Sequence, residues 1–259
     1  MLVCTTPLTE PLTITAAPLT RDAFAPFGDV VANPQPASTP ANTAPEAIAR
    51  GELPCGALSA NQGTAIQYKA IASMRDLYGR APSGCAGTPR MTMFVCGART
   101  LAAADGEAEA DGVEVKVLER HPFTSQTFIP LTADATKRYL VVVAPTLAPS
   151  TRDEGLPVPR DGGAGAGLPG RGLPDVRRLR AFVATGEQAV TYAAGTWHAP
   201  MIALGPPGST IDFVVVQFAN DVPVEDCQEV ALEDGRKGAT ARAWVRVPAI
   251  RRAREPAKL

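Results

Sequence analysis

The sequence predicts a mainly β protein, an antiparallel β-barrel or two-sheet sandwich with few short helices. Three observations carry this. Pro and Gly account for 25 and 23 of 259 residues, an excess that suits short strands and turns. Apolar segments too short for helices recur at close intervals, divided by turn signals. A hydrophobic fraction of 45% is ample for a core, and 27.0 kDa fits one generous domain, taken as residues 1–259.

The elements follow in order. In LTRDAFAPFGDVV (19–31), Thr20 is placed to cap a short helix, Phe24 and Phe27 share a face, and Gly28 closes the turn before a strand. Residues 32–56 show no sustained period and read as mostly loop. Strand signals then appear at 64–71, 90–96, 113–121, 127–131 and 138–145. VEVKVLE alternates, with Val113, Val115 and Val117 on one face and Glu114 and Lys116 on the other. YLVVVA is apolar throughout and reads as a central strand. Twelve of the 26 residues in 149–174 are Gly or Pro, which predicts a flexible insertion between core strands. A capped turn at Asp175 leads to strands divided by ATGEQ and AAG, and TIDFVVVQFAN (210–220) is a further apolar strand. Residues 236–259 carry eight Lys or Arg against one Glu and read as a solvated basic tail.

Composition excludes several classes of function. The net charge is −1, and no aromatic interleaving or binding motif accompanies the basic tail, so nucleic acid is not an expected partner. No apolar run is long enough to span a bilayer and the N-terminus lacks a secretory pattern, so a soluble chain is expected. Five cysteines without C-x-x-C spacing read as reduced thiols. The terminal Ala257-Lys258-Leu259 is a variant of the peroxisomal S-K-L signal and a candidate ligand for an import receptor, which gives a peroxisomal or cytoplasmic location.

The chain has only two histidines, His121 in ERHPFTSQTFIPL (119–131) and His198 in AAGTWHAPMIALG (193–205). Each stands beside a proline, where a strand ends, and strand ends line the mouth of a barrel. Extended backbone puts Glu119 and His121 on one face. Both histidines with Glu119 make three donors, a facial set for a divalent metal, although no H-x-H spacing reinforces it. There is no G-x-S-x-G elbow, and GAGAGLPGRG lacks the Lys-Ser/Thr ending of a phosphate loop. What remains is general acid–base work by His121 and His198, assisted by Asn61, Gln62 and Gln126.

These segments resemble the ureidoglycolate lyase (ureidoglycolate hydrolase) family. ERHPFTSQTFIPL, then LRAFVATGEQAVTYAAGTWHAPMIAL, with LTRDAFAPFGDVV and SANQGTAIQY (59–68), run in the family's order, the last resembling its fungal members. The resemblance implies a cupin-like β-barrel, or double-stranded β-helix, usually dimeric, that splits ureidoglycolate into glyoxylate and urea in allantoin degradation. It implies that His121 and His198 share the base and acid roles, with no cofactor required and their order open. Gln126, Asn61 and Gln62 would hold the substrate, with Lys69 and Arg120 as counter-charges and Glu119 and Trp197 close by. Alternation turns Arg120 away from His121, which suggests a structural role, and Trp197 away from His198. The chain departs from many relatives in having Ala199 where they have a second His. Alternatives are a cupin metalloenzyme acting on another small hydroxy acid or amide, and a non-catalytic module that binds a small carboxylate.

Overall fold

The segment RYLVVVA sits where its composition requires, in the middle of a sheet covered on both faces. The computed structural model describes residues 2–103, 111–160, 168–234 and 242–248, so Ala257, Lys258 and Leu259 lie outside the described residues. In chain order the first elements are β1 (Leu2–Leu8), β2 (Leu12–Thr15), β3 (Ala17–Pro18), α1 (Arg21–Phe24), β4 (Gly28–Val31), α2 (Pro45–Ala49), β5 (Leu58–Ala60) and β6 (Ala65–Gln67). Then come β7 (Thr88–Arg99), β8 (Ala102–Ala103), β9 (Asp111–Val115), β10 (Val117–Arg120), β11 (Gln126–Pro130) and β12 (Arg138–Ala144). The chain continues with β13 (Arg180–Thr185), β14 (Ala189–Tyr192), β15 (Trp197–His198) and β16 (Ile202–Leu204). It ends with β17 (Thr210–Ala219), α3 (Pro223–Asp226), β18 (Gln228–Asp234) and β19 (Ala243–Arg246). The fold is mainly β and cupin-like, as expected.

Strand β12 is bonded to β13, β15 and β16. Its odd-numbered side chains Tyr139, Val141 and Val143 pack on Phe128, Tyr192 and Phe213 from β11, β14 and β17. Its even-numbered Leu140, Val142 and Ala144 pack on Val113 and Val115 of β9 and Ala243 and Val245 of β19. Each fully buried aliphatic side chain of this kind contributes about 1.5–3 kcal/mol. Strand β7 pairs with β16 only at Ala98 and Arg99, but with β17 from Thr88 to Gly97, and so joins the middle layer to the aromatic one. Most pairings are antiparallel, while β1–β18, β2–β19, β3–β13 and β7–β16 are parallel.

Four expectations are corrected. The 113–121 segment is two strands broken at the exposed Lys116. One extra residue between the two strands shifts the alternation, so Leu118 takes the inward place that an unbroken strand would give Val117. The same shift turns Glu119 and His121 away from the aliphatic layer. The basic tail is not all tail, because AWVRV alternates and seats Ala243, Val245 and Val247 in the core. Both described ends of the Gly/Pro-rich segment are anchored rather than flexible: Ser150 and Asp153 form a capping box, and Leu173 joins the core. Residues 32–56 are mostly loop, as expected, with the short α2 held by the buried Ile48 and Pro45 in its first turn. The 64–71 strand shrinks to β6, half of a hairpin with β5.

Thr20 caps α1 as predicted, its hydroxyl accepting from the Ala23 N–H, whereas Asp175 makes no side-chain cap at its turn. None of the five cysteines is in a disulfide. Among the described residues no helix is long and apolar enough to cross a membrane.

Candidate active site

Strand β15 lies between β10 and β12, with His198 opposite both Glu119 and Val143 and Trp197 opposite Ala144. Alternation therefore divides the functional residues between two faces. Val143 faces the aromatic layer, and so do Glu119 and His198, whereas Trp197 packs in the aliphatic cluster with Ala144.

On the aromatic side the two imidazole centroids stand 5.5 Å apart. Tyr192 stacks on His198 at 3.9 Å and 13°, which fixes the plane of the ring. Both rings are held alike. His121 Nδ1 donates to the Asp226 carbonyl at 2.6 Å, and His198 Nδ1 donates to the Thr196 carbonyl at 2.9 Å. A carbonyl cannot donate, so each Nδ1 carries the proton and each Nε2 keeps a lone pair when neutral. Neither Nε2 has a hydrogen-bond partner, although both are buried. His198 Nε2 lies 3.4 Å from Glu119 Oε1, close enough to pair with the carboxylate once the ring carries a second proton, and makes no aligned hydrogen bond to it. Burial, with the charge of His198 second, pushes His121 down to about 4 and keeps it neutral. Burial alone would raise the Glu119 carboxyl, but His198 and then His121 outweigh it and hold the group below its ordinary value.

The wall opposite comes from the aromatic layer. Gln126 lies across from Tyr192 on one side and Gln217 on the other, so all three share a face. Gln126 donates from Nε2 to Gln217 Oε1 at 2.7 Å, while its own Oε1 is buried without a partner. Arg90 continues the row opposite Gln217 and is ion-paired to Asp221.

On the reverse face every polar atom of Arg120 is engaged. Nε donates to Gln228 Oε1 at 2.9 Å, Nη1 to the Gly170 and Gly172 carbonyls at 2.8 and 3.2 Å, and Nη2 to the Arg171 carbonyl at 2.9 Å. The guanidinium sits 4.5 Å from the Trp197 ring centroid, and Trp197 Nε1 donates to Gly172 as well. Gly172 could be nothing else, since a Cβ there would stand 1.8 Å from the Leu147 carbonyl oxygen. Gly195 holds φ +76° in the turn before Trp197, and its N–H donates to the His121 carbonyl at 2.8 Å, tying the two histidine segments together.

The structure thus brings His121, His198 and Glu119 together, with Gln126 beside Tyr192, the ring that stacks on His198. It does not bring Arg120 or Trp197, which are buried behind the strands with the guanidinium over the indole ring. Nor does it bring Asn61, Gln62 or Lys69 there. Asn61 and Gln62 occupy left-handed backbone (φ 49° and 59°) at the exposed tip of the β5–β6 hairpin, and Lys69 is exposed at its end. The hairpin packs against α2. Tyr192, Gln217 and Asp226 were missed because they arrive from strands and turns remote in sequence.

The protein-family model for ureidoglycolate lyase matches residues 11–237. The chain belongs to the ureidoglycolate lyase family. It is 33% identical over 221 residues to the ureidoglycolate lyase of Schizosaccharomyces pombe, covering 85% of this chain and 92% of that one. It is 30% identical over 231 residues to that of Saccharomyces cerevisiae (86% and 96%) and 34% over 209 residues to that of Burkholderia mallei (81% and 84%). For a ureidoglycolate lyase family member, Ala199 was the troubling difference. Its side chain packs in the aliphatic cluster, so an imidazole at that position would point away from His121. The substitution removes nothing from this site.

Ligand atoms of Glu119, His121 and His198 all lie within 4.8 Å of one another, a set that could hold a divalent cation. Histidines locked through Nδ1 on backbone carbonyls with Nε2 unpartnered fit that use. Glu119, Cys227 and Glu229 form a second grouping of donors, but burial pushes the Cys227 thiol up to about 12 and so keeps it protonated.

Proposed function

We propose that this protein cleaves ureidoglycolate to glyoxylate and urea by proton transfer through its two imidazoles. The observation that carries the reading is the pair of buried, unpartnered Nε2 atoms facing one space beside an ionised carboxylate. In a carbinolamide the hydroxyl and the ureido nitrogen share one carbon. When a base takes the hydroxyl proton, the C=O bond of glyoxylate forms and the C–N bond breaks. The departing urea nitrogen then takes a proton, so the reaction is balanced without water.

His198 suits the transfer. As it accepts the proton, Glu119 stabilises the imidazolium, and the same proton can pass to the leaving nitrogen. His121, held neutral, offers Nε2 as an acceptor that orients the substrate, so the two rings share the acid–base work. Gln126 and Gln217 face the ureido group, whose N–H and C=O groups match the amide edges. Positioned proton transfer of this kind contributes roughly 10²–10⁴ in rate.

The three-donor set favours a second form of the same reading. A divalent cation on Glu119, His121 and His198 would supply Lewis-acid polarisation of substrate oxygens. The test is an assay on freshly prepared ureidoglycolate that follows glyoxylate and urea together, with and without chelation. Equal amounts of both products confirm the cleavage, and ammonia in place of urea contradicts it. Activity that persists in chelator assigns the chemistry to the imidazoles alone. Activity lost and then restored by one equivalent of cation assigns the three residues as ligands.

A second copy of the chain is the partner we infer. Met91, Met93 and Val95 of β7, Val214 and Val216 of β17, and Ile129 of β11 share the outer face of the aromatic layer by register. Met91 is 73% exposed and Val95 65%. Apolar side chains gathered on one sheet face in this way mark an interaction surface, and a symmetric pair would cover it.

A further inference from the structure

The tautomer of His121 depends on one carbonyl, that of Asp226, and the surroundings of that carbonyl are unusually constrained. Asp226 ends α3, a single turn with little intrinsic stability. Two consecutive carboxylates hold this turn. Glu225 accepts from the Ser83 N–H at 2.9 Å, the Ser83 hydroxyl at 2.6 Å and Asn220 Nδ2 at 2.7 Å. Asp226 Oδ1 accepts from the Tyr78 hydroxyl at 2.6 Å and the Asn220 N–H at 2.9 Å, and Oδ2 accepts from the Asp221 N–H at 2.9 Å. Gln228 adds a bond from Nε2 to the Val224 carbonyl at 3.0 Å. Tyr78 is itself fully buried against Phe123, two residues after His121.

We infer that Asp226 is a positioning residue. Its side chain, clamped by Tyr78 and the 220–221 turn, fixes its own carbonyl so that His121 keeps its proton on Nδ1 and presents a bare Nε2 to the substrate. This rests on the reading of His121 as an active-site group. The geometry has no slack. A carboxylate that accepts three bonds on two oxygens sets the peptide next to it, and that peptide carries the 2.6 Å acceptor for the imidazole. Without that acceptor, the Nε2–H tautomer would become competitive, and its proton would occupy the atom that must accept.

Two variants separate positioning from mere support. Asp226→Asn keeps the volume but replaces one acceptor oxygen with a donor that faces a backbone N–H. Tyr78→Phe removes the bond to Asp226 Oδ1, together with a longer one to the Phe218 carbonyl at 3.4 Å, and leaves the carboxylate in place. With only two histidines in the chain, ¹⁵N resonances of chelator-treated protein can be assigned by comparison with His198→Gln. The expected result for wild type is His121 protonated at Nδ1 alone. Asp226→Asn should show a mixture with Nε2–H, and kcat should fall roughly tenfold to a hundredfold with KM little changed. Tyr78→Phe should show the same shift in smaller measure. If both variants melt earlier but His121 stays wholly in the Nδ1–H form with kcat unchanged, the clamp only supports the fold and the inference is overturned. Should Asp226→Asn fail to fold, Tyr78→Phe decides alone. The tautomer needs no substrate, so it also decides if ureidoglycolate proves not to be cleaved.

Discussion

The two faces of the β10–β15 pair carry equally polar residues and treat them oppositely. Behind the pair, Arg120 has all its nitrogens bonded, covers Trp197 and stitches Gly170, Arg171 and Gly172 to the core. In front, His121 Nε2, His198 Nε2 and Gln126 Oε1 are buried with no partner. A buried polar atom left unpaired costs about 1–3 kcal/mol, so three on this side of the strands are a standing expense of the fold. A satisfied network holds a fold together, whereas orphaned atoms that converge await something else. Burial and polarity alone would not have distinguished the two faces; the hydrogen-bond accounting does.

The comparison can be broken by substitution, and the largest effect belongs to the front. His121→Gln should lower kcat by roughly 10²–10⁴-fold while the thermal midpoint changes little, since the ring makes one bond and leaves one atom unpaired. Activity assays beside thermal melts check this. Arg120→Met should do the reverse. The Gly170 and Arg171 carbonyls and Gln228 Oε1 lose their donor and Gly172 keeps only Trp197 Nε1, so unfolding free energy should fall by about 3–5 kcal/mol, read from denaturant titration, with kcat of the folded protein within a few-fold of wild type.

Acid should weaken the front and spare the back. His121 is held near 4 against 6.5 when free, so as pH falls the unfolded chain takes up this proton first. The stability from keeping it neutral is complete above pH 6.5 and is lost as pH falls towards 4, in total about 3 kcal/mol. In metal-free protein His121→Gln should flatten that part of the stability curve. Ala199→His comes next. The new ring would enter the aliphatic layer, costing about 1–3 kcal/mol in unfolding free energy without raising kcat. Smallest is Met93→Glu on the outer sheet face, which should yield monomers by light scattering with turnover per chain altered only slightly.

Much of this was legible in the sequence, for reasons that also mark where legibility stopped. Short-range alternation placed Glu119 with His121 and turned Arg120 and Trp197 the other way. YLVVVA announced a strand buried on both faces because no polar residue interrupts it. The break at Lys116 was not visible, since VEVKVLE alternates without a flaw and only pairing with β18 and β19 reveals the lost residue. The Gly/Pro-rich segment misled because it is held through its carbonyls, which composition does not display. Basic charge hid the apolar alternation of AWVRV. Asn61 and Gln62 looked like substrate donors, yet a hairpin tip needing positive φ accounts for Asn61. Tyr192, Gln217 and Asp226 reach the site through tertiary pairing alone.

The most direct test is turnover and unfolding measured on one preparation of His198→Gln. The account predicts that production of glyoxylate and urea falls by at least two orders of magnitude, while the unfolding midpoint stays close to wild type. A midpoint that falls by many degrees with turnover per folded molecule intact would place His198 with Arg120, among the groups that only hold the strands together.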